Sequence, residues 1–263
     1  MNSLCLKLSC KYLFVNIMRY MNIKSTKKFI KKLMHSIGIE AYRYDPTTTQ
    51  FGRFVAALQS FNIDLILDIG ANEGQFGESL RESGYSGEIV SFEPLKTAYD
   101  NLLSVSNGDK NWLVHARCAV GDCTGEIEIN ISANSVSSSV LPMLDSHMQA
   151  APNAGYIGKD KCDLITLDSV LLAYFKTSKS VLLKIDTQGY EWQVLDGAMD
   201  AIQNTRGVLI EMSLIPLYEG QKLWQDIIKR LESEGFILWA LQPAFIDPKN
   251  GRTLQLDGLF FRP

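Results

Sequence analysis

The chain has 263 residues, enough for one large core or for a domain with an appendage. Its apolar fraction of 46% and charged fraction of 21% are those of a globular protein and exclude a low-complexity or collagen-like chain. The net charge of −3 conceals an asymmetry: residues 1–44 carry nine Lys/Arg against one acid, a balance of +8, and the rest stands at −11. An acidic body argues against a broad nucleic-acid footprint, so no nucleic-acid partner is expected. The five cysteines are odd in number and form no C-x-x-C pair, so zinc spacing is not met and a reduced, cytoplasmic protein is expected. No apolar run approaches the roughly 20 residues of a membrane span, and residues 12–18 are too short and interrupted for a signal-peptide core.

In chain order, residues 1–20 are expected to be a poorly ordered extension. Residues 25–37 have helical spacing: Ser25 or Thr26 caps the start, Phe29, Ile30, Leu33, Met34 and Ile37 share one face, and Gly38 stops it. Lys27, Lys28, Lys31 and Lys32 form the opposite face. The favoured reading is a helix packed on the body with a solvated lysine face; the other is peripheral contact with an anionic membrane or a partner. The domain division is expected at residue 45. Thr49 introduces a helix over 50–60. Strands and helices then alternate: strand 64–69, helix 74–83, strand 88–92, helix 94–104 and strand 112–116. Alternation breaks at Glu126–Ile131, whose period of two predicts an inserted antiparallel strand. Residues 132–160, rich in Ser, Ala, Asn and Gly, read as a loop over the site. Strand 163–167, a short helix at 168–175, strand 181–185, a helix carrying Tyr190 to Ile202, strand 207–212, helix 221–234 and strands 236–241 and 257–261 complete the pattern. Repeated βα units predict an α/β fold with a mostly parallel, doubly wound sheet, whose ligand lies outside the carboxyl ends of the strands.

Residues 65–74, Leu-Ile-Leu-Asp-Ile-Gly-Ala-Asn-Glu-Gly, form an apolar strand that stops at an acid and turns on glycines into a helix. The spacing is D-x-G-x-x-x-G, without the dinucleotide fingerprint G-x-G-x-x-G. Asp68 makes a pyrophosphate unwelcome and suits a ligand with a cationic end, such as S-adenosylmethionine. A plain strand–helix turn is the simpler alternative. Glu93, 23 residues after Gly70 at the end of the next strand, is placed to accept hydrogen bonds from two ribose hydroxyls. A third segment, Lys184-Ile185-Asp186-Thr187-Gln188-Gly189-Tyr190-Glu191-Trp192, puts Asp186 at a strand end facing the same crevice. Glu191 there serves either the site or simply the helix start, where a carboxylate caps backbone amides.

These segments together resemble the FkbM family of S-adenosylmethionine-dependent methyltransferases. The resemblance runs from about Leu65 to about Leu241 and rests on LDIGANEGQF (67–76), SFEP (91–94), AVGD (119–122), SSSV (137–140), LKIDTQGYEWQVLDGA (183–198) and IEMSLIPLYEGQ (210–221). It implies a Rossmann-like class I methyltransferase fold with an antiparallel terminal strand, and methyl transfer to a hydroxyl of a sugar, glycolipid, polysaccharide or related metabolite. By position, Asp68, Gly70, Asn72 and Gly74 fall on the cofactor loop, Glu93 on the ribose acid, Cys118 or Ala119 near adenine, and Asp186 and Glu191 on the KID-x-x-G-x-E segment. Leu95-Lys96 departs from the family, many members of which carry a second proline after FEP.

The sulfonium methyl is already activated, so the protein must chiefly align donor and acceptor. A hydroxyl acceptor also benefits from a base within hydrogen-bond reach. Asp186 is the first candidate. Glu191 and Glu211 are read as positioning the acceptor, orienting Lys184, or joining Asp186 in a Mg²⁺ site. His147, in the loop, is a further candidate base, whereas His115, inside a strand, reads as a core histidine. Methylation of nitrogen is the weaker alternative, since no Asn/Asp-Pro-Pro-aromatic motif is present; a non-catalytic cofactor-binding scaffold is the other.

Overall fold

A computed structural model describes residues 23–39, 49–175 and 180–263. The extension expected over residues 1–20 lies outside them. The chain divides into two compact units, Met1–Thr49 and Gln50–Pro263. In the first, helix α1 (Ile23–Ser36) includes Ser25 and Thr26 within its length, rather than starting from them. It ends in a Schellman motif: Ile39 N–H bonds Met34 C=O at 2.8 Å, Gly38 N–H bonds His35 C=O at 3.1 Å, and Gly38 adopts φ +75°. Phe29, Leu33 and Ile37 are exposed, as are Lys28 and Lys32.

The second unit opens with α2 (Gln50–Ser60), followed by β1 (Leu65–Ile69), α3 (Gln75–Glu82), β2 (Glu88–Phe92), α4 (Lys96–Ser106) and β3 (Trp112–Val114). An inserted segment contributes β4 (Cys118–Val120), β5 (Gly125–Ser132), α5 (Asp145–Ala150) and β6 (Tyr156–Ile165). The plan resumes with α6 (Leu171–Tyr174), β7 (Val181–Ile185), α7 (Glu191–Asp196), α8 (Met199–Gln203), β8 (Gly207–Ser213), α9 (Trp224–Ser233), β9 (Ile237–Pro243) and β10 (Gln255–Phe261). The main sheet has the order β3-β2-β1-β7-β8-β10-β9, parallel except for β10, which runs antiparallel to both its neighbours. The order turns back between β1 and β7, the position where open α/β sheets bind ligands. This is the doubly wound, class I arrangement expected, with its antiparallel terminal strand.

β1 and β7 turn apolar side chains to two covered faces, interrupted only by Asp68 and Lys184. Leu65, Leu67 and Ile69, with Val181, Leu183 and Ile185, face Val194, Leu195, Ile202, Ile227 and Leu231 of α7, α8 and α9. Ile66 and Leu182 face the opposite layer, with Phe54, Leu58, Leu80 and Leu102 of α2, α3 and α4. Both faces are covered, and each fully buried Leu or Ile contributes about 1.5–3 kcal/mol of transfer free energy.

Two regions differ from the expectations. The single helix expected after Asp186 breaks at Gly197–Ala198 into α7 and α8, where Ala198 leaves helical geometry at φ −124°, and Gly197 packs so closely on the Gly121 carbonyl oxygen that a Cβ would lie 1.8 Å from it. The stretch expected as loop 132–160 contains α5, and β6 begins inside it at Tyr156. β6 pairs with β5 antiparallel and with β4 parallel, making a separate three-stranded sheet. Among the described residues no helix is long and apolar enough to cross a membrane.

Candidate active site

A cavity of about 830 Å³ opens at the carboxyl ends of β1, β2 and β7 and reaches toward β8 and β10. It falls within the size range of small-ligand sites. Its floor is the loop after β1. Gly70 takes φ +78°, and a Cβ there would lie 1.9 Å from the Asp186 carbonyl oxygen, so only glycine lets this loop cross the end of β7. Gly70 and Ala71 N–H both bond Phe92 C=O at 3.0 Å. Asn72, at φ +48°, donates its N–H to Glu93 Oε2 at 2.8 Å, and Leu95 N–H bonds Glu93 Oε1 at 2.9 Å. One carboxylate thus clamps two loops and still lines the cavity. Glu93 is 3% exposed, and burial pushes its carboxyl up to about 7.

Beside Glu93 the wall is apolar: Phe92, Leu95, Cys118, Ala119, Val120 and Ile129 all line it. This apolar stretch adjoins the Glu93 carboxylate on the same wall. Gly70, Asn72, Glu93 and Ala119, the residues expected on the cofactor side, all line the cavity. Asp68 and Gly74 do not line it. Asp68 is wholly buried behind the loop, its Oδ1 3.0 Å from Lys184 Nζ, so it supports the loop from beneath. Gly74 takes φ +97° at the start of α3, a left-handed conformation that favours glycine, and a Cβ there would also press on Leu102 at 3.1 Å.

Lys184, which also lines the cavity, is the hub that ties the floor loop to β7. Its ammonium donates to Gly70 C=O at 2.9 Å, pairs with Asp68, and lies 3.5 Å from Asp186 Oδ2. Burial works against the charge, but Asp68 and Asp186 outweigh it and hold the ammonium above the ordinary lysine range.

The far lobe gathers acids and amides. Gln188 Nε2 donates to Asp186 Oδ1 at 2.9 Å and to Glu211 Oε2 at 2.8 Å, and Gln255 Nε2 also reaches Glu211 Oε2 at 2.7 Å. Burial, with Asp186, Glu191 and Asp257 nearby, raises the Glu211 carboxyl well above the usual range. Asp257 also lines the lobe, and burial, then Asp186, push it up to about 6. The serine-rich loop closes over this lobe. His147 of α5 is 2% exposed, packs against Tyr218 and Phe245, and places Nε2 3.2 Å from Ser137 Oγ. Its Nδ1 has no hydrogen-bond partner among the described residues, and burial lowers its pKa, so the neutral ring is favoured.

Glu191 is not on the cavity wall. Its Oε1 accepts Thr187 N–H and Gly189 N–H, each at 3.0 Å, fastening the turn between β7 and α7. That geometry gives it the capping role rather than the acceptor-positioning one. His115 follows β3 rather than lying inside it, and it is half-buried, bonded to the Tyr174 hydroxyl at 2.6 Å and packed on Phe92. Among the described residues no group of three His, Cys, Asp or Glu is arranged to hold a metal ion. Asp257, Gln255 and Phe245 were missed by sequence reasoning because they enter through the pairing of β8 with β10 and the loop before it.

Residues 68–238, about two thirds of the chain, match the Methyltransferase FkbM domain. No curated protein matches. Solved structures with a similar course include three methyltransferases. TehB from Haemophilus influenzae is 10% identical, with 82% of this chain and 64% of that one covered at a TM-score of 0.45. Sp1610 from Streptococcus pneumoniae, a candidate tRNA (m1A22) methyltransferase in complex with S-adenosyl-L-methionine, is 12% identical, with 80% and 72% covered at 0.44. A TehB-like S-adenosylmethionine-dependent methyltransferase from Corynebacterium glutamicum is 11% identical, with 92% and 100% covered at 0.38. The length of the family match, spanning the floor loop, Glu93 and the Asp186 strand end, places this chain in the FkbM family of S-adenosylmethionine-dependent methyltransferases.

Proposed function

We propose that the protein transfers the methyl group of S-adenosylmethionine to a hydroxyl oxygen of a sugar, glycolipid, polysaccharide or related metabolite. The observation that carries this reading is the continuity of the cavity: a nucleoside end built by Gly70, Asn72, Glu93 and Ala119 opens into a lobe of carboxylates and amides. The bound donor supplies an activated methyl on a sulfonium. The protein's part is to hold the adenosine at Glu93, to keep the floor loop rigid through Lys184, and to align the acceptor. Lys184 is tied to Asp68, Asp186 and Gly70, while Asp186, Glu211, Asp257 and Glu93 line the wall, so the lobe disfavours an anionic acceptor and suits a positive donor. Planar carboxylates and amides beside Phe245 suit a ring bearing several hydroxyls. His147 and Ser137 lie at the roof, where they contact whatever fills the lobe.

The test is incubation with methyl-labelled donor and a panel of neutral glycosides, glycolipids and polysaccharide fragments. Label recovered as a methyl ether supports the reading. Donor binding without any product would favour the scaffold alternative, and label on an amine or on RNA would refute the choice of oxygen. Named RNA methyltransferases among the structural neighbours lend no support to the expectation that nucleic acid is not the acceptor.

For the basic arm, we read α1 as a helix that lies in an anionic membrane surface. Phe29, Leu33 and Ile37 are exposed on one face, while Lys28 and Lys32 provide the charge that attracts acidic headgroups.

A further inference from the structure

The carboxylates of the far lobe differ in how far the fold itself uses them. Asp186 accepts the Gln188 amide on Oδ1 and faces Lys184 with Oδ2. Glu211 accepts two amides, from Gln188 and Gln255, on one oxygen. Glu93 accepts two backbone N–H groups. Asp257 lines the same cavity, directly opposite Glu211 in the β8–β10 register, yet no donor among the described residues hydrogen-bonds its carboxylate. It sits within the field of Asp186, Glu211 and Lys184, and part of its surface opens to the cavity. Holding a carboxylate in such a place without a donor from the described residues costs stability, and such a cost is retained where a ligand supplies the donor. Asp257 also lies beyond residues 68–238, so the family match assigns it nothing.

We infer that Asp257 is the carboxylate that meets the acceptor's reacting hydroxyl and takes its proton, while Asp186 is committed to holding Lys184 and Gln188. This rests on the methyl-transfer reading above. In the step, the acceptor oxygen forms a bond to the methyl carbon as the carbon–sulfur bond breaks, with its electron pair remaining on sulfur. The hydroxyl proton passes to an Asp257 oxygen. A positive donor, a neutral alcohol and a carboxylate become a neutral thioether, a methyl ether and a neutral carboxyl, so charge and atoms balance. The carboxyl then returns its proton to water.

Asp257 can be tested without knowing the acceptor. Sinefungin, a donor analogue, carries an amine-bearing carbon in place of the methylated sulfonium; S-adenosylhomocysteine carries neither. Calorimetry on the full chain measures both affinities for the wild type, Asp257→Asn and Asp186→Asn. The expected result is that Asp257→Asn weakens sinefungin at least tenfold at pH 7.5 while S-adenosylhomocysteine changes less than twofold, with a smaller change of the ratio in Asp186→Asn. The wild-type ratio should also fall as pH drops through about 6, where Asp257 takes up its proton. Glu211, raised by burial in the same lobe, titrates as well, so this arm is read against Asp257→Asn, which should flatten the fall, while titration of Glu93 affects both ligands alike. An unchanged ratio in Asp257→Asn, a larger loss in Asp186→Asn, or a ratio flat across pH 5–8 overturns the assignment. Failure of both ligands to bind the wild type refutes the methyl-donor reading, and this inference with it.

Discussion

Asp68 and Lys184 are cross-strand partners in the parallel register of β1 and β7, and their side chains form a buried ion pair of 3.0 Å beneath the floor loop. A charge pair inside a sheet is weak proof of stability, but removing one member leaves the other uncompensated. Lys184→Met should lower unfolding free energy by about 3–5 kcal/mol, measured by denaturant titration. Asp68→Leu combined with Lys184→Met should recover most of that loss and still bind S-adenosylhomocysteine weakly, because Gly70 C=O has lost its donor. A double variant as unstable as the single one would show that the pair is not the source of the effect.

Glu93 sets a pH dependence whose sign can be worked out. Its carboxyl is raised from 4.5 to about 7 by burial, so the free protein favours the protonated form below pH 7. A carboxylate is needed to accept two ribose hydroxyls. Affinity for S-adenosylhomocysteine should therefore fall below pH 7, approaching tenfold per pH unit, with a proton released on binding at pH 6. Because the folded-state value is raised, the acid's contribution to stability is full below about 4.5 and is lost as pH rises through 7. Glu93→Gln should flatten both profiles and weaken binding more than tenfold. Calorimetry in buffers of different ionisation enthalpy reads the proton directly, and an unchanged profile in the variant would remove Glu93 from the ribose.

Glu191 separates a turn-fastening acid from a catalytic one. Alanine there leaves the N–H groups of Thr187 and Gly189 without their acceptor, a loss of about 1–3 kcal/mol. Glutamine keeps an oxygen for the same amides. Glu191→Ala should unfold at a lower temperature, and Glu191→Gln should keep kcat within a few fold of wild type. A hundredfold loss of kcat in a fully folded Glu191→Gln would return the residue to the chemistry.

These contrasts show what spacing reveals and what it hides. The strands β1, β2, β7 and β8 were legible because strands covered on both faces are apolar at most positions, with Asp68, Lys184 and Glu211 as exceptions at the site. β6 was hidden because it is largely solvated: Lys159 and Lys161 are exposed, and its alternation is written in charges, with Lys159 paired to Glu128 of β5. In the site, Gly70, Asn72 and Glu93 follow from a local βαβ unit. Asp257 and Gln255 do not, because they meet Glu211 only through an antiparallel pairing more than forty residues away in sequence. Asp68 was legible as a special residue but not as Lys184's partner, since cross-strand register leaves no trace in linear spacing.

The basic helix yields the last prediction. Each lysine held near an anionic bilayer contributes about 1 kcal/mol, and the attraction weakens over a Debye length. Full-length protein should co-sediment with vesicles of phosphatidylserine and phosphatidylcholine at low salt and be released as salt rises. Lys28→Glu with Lys32→Glu should lower partitioning more than tenfold, and Phe29→Ser with Leu33→Ser should do the same by removing the buried apolar area, about 0.8 kcal/mol per methylene. The two pairs test the two faces separately. Binding that follows the lysines but ignores Phe29 and Leu33 would mean that the helix is attracted to the surface without entering it. Binding insensitive to all four substitutions would place membrane contact, if any, outside α1.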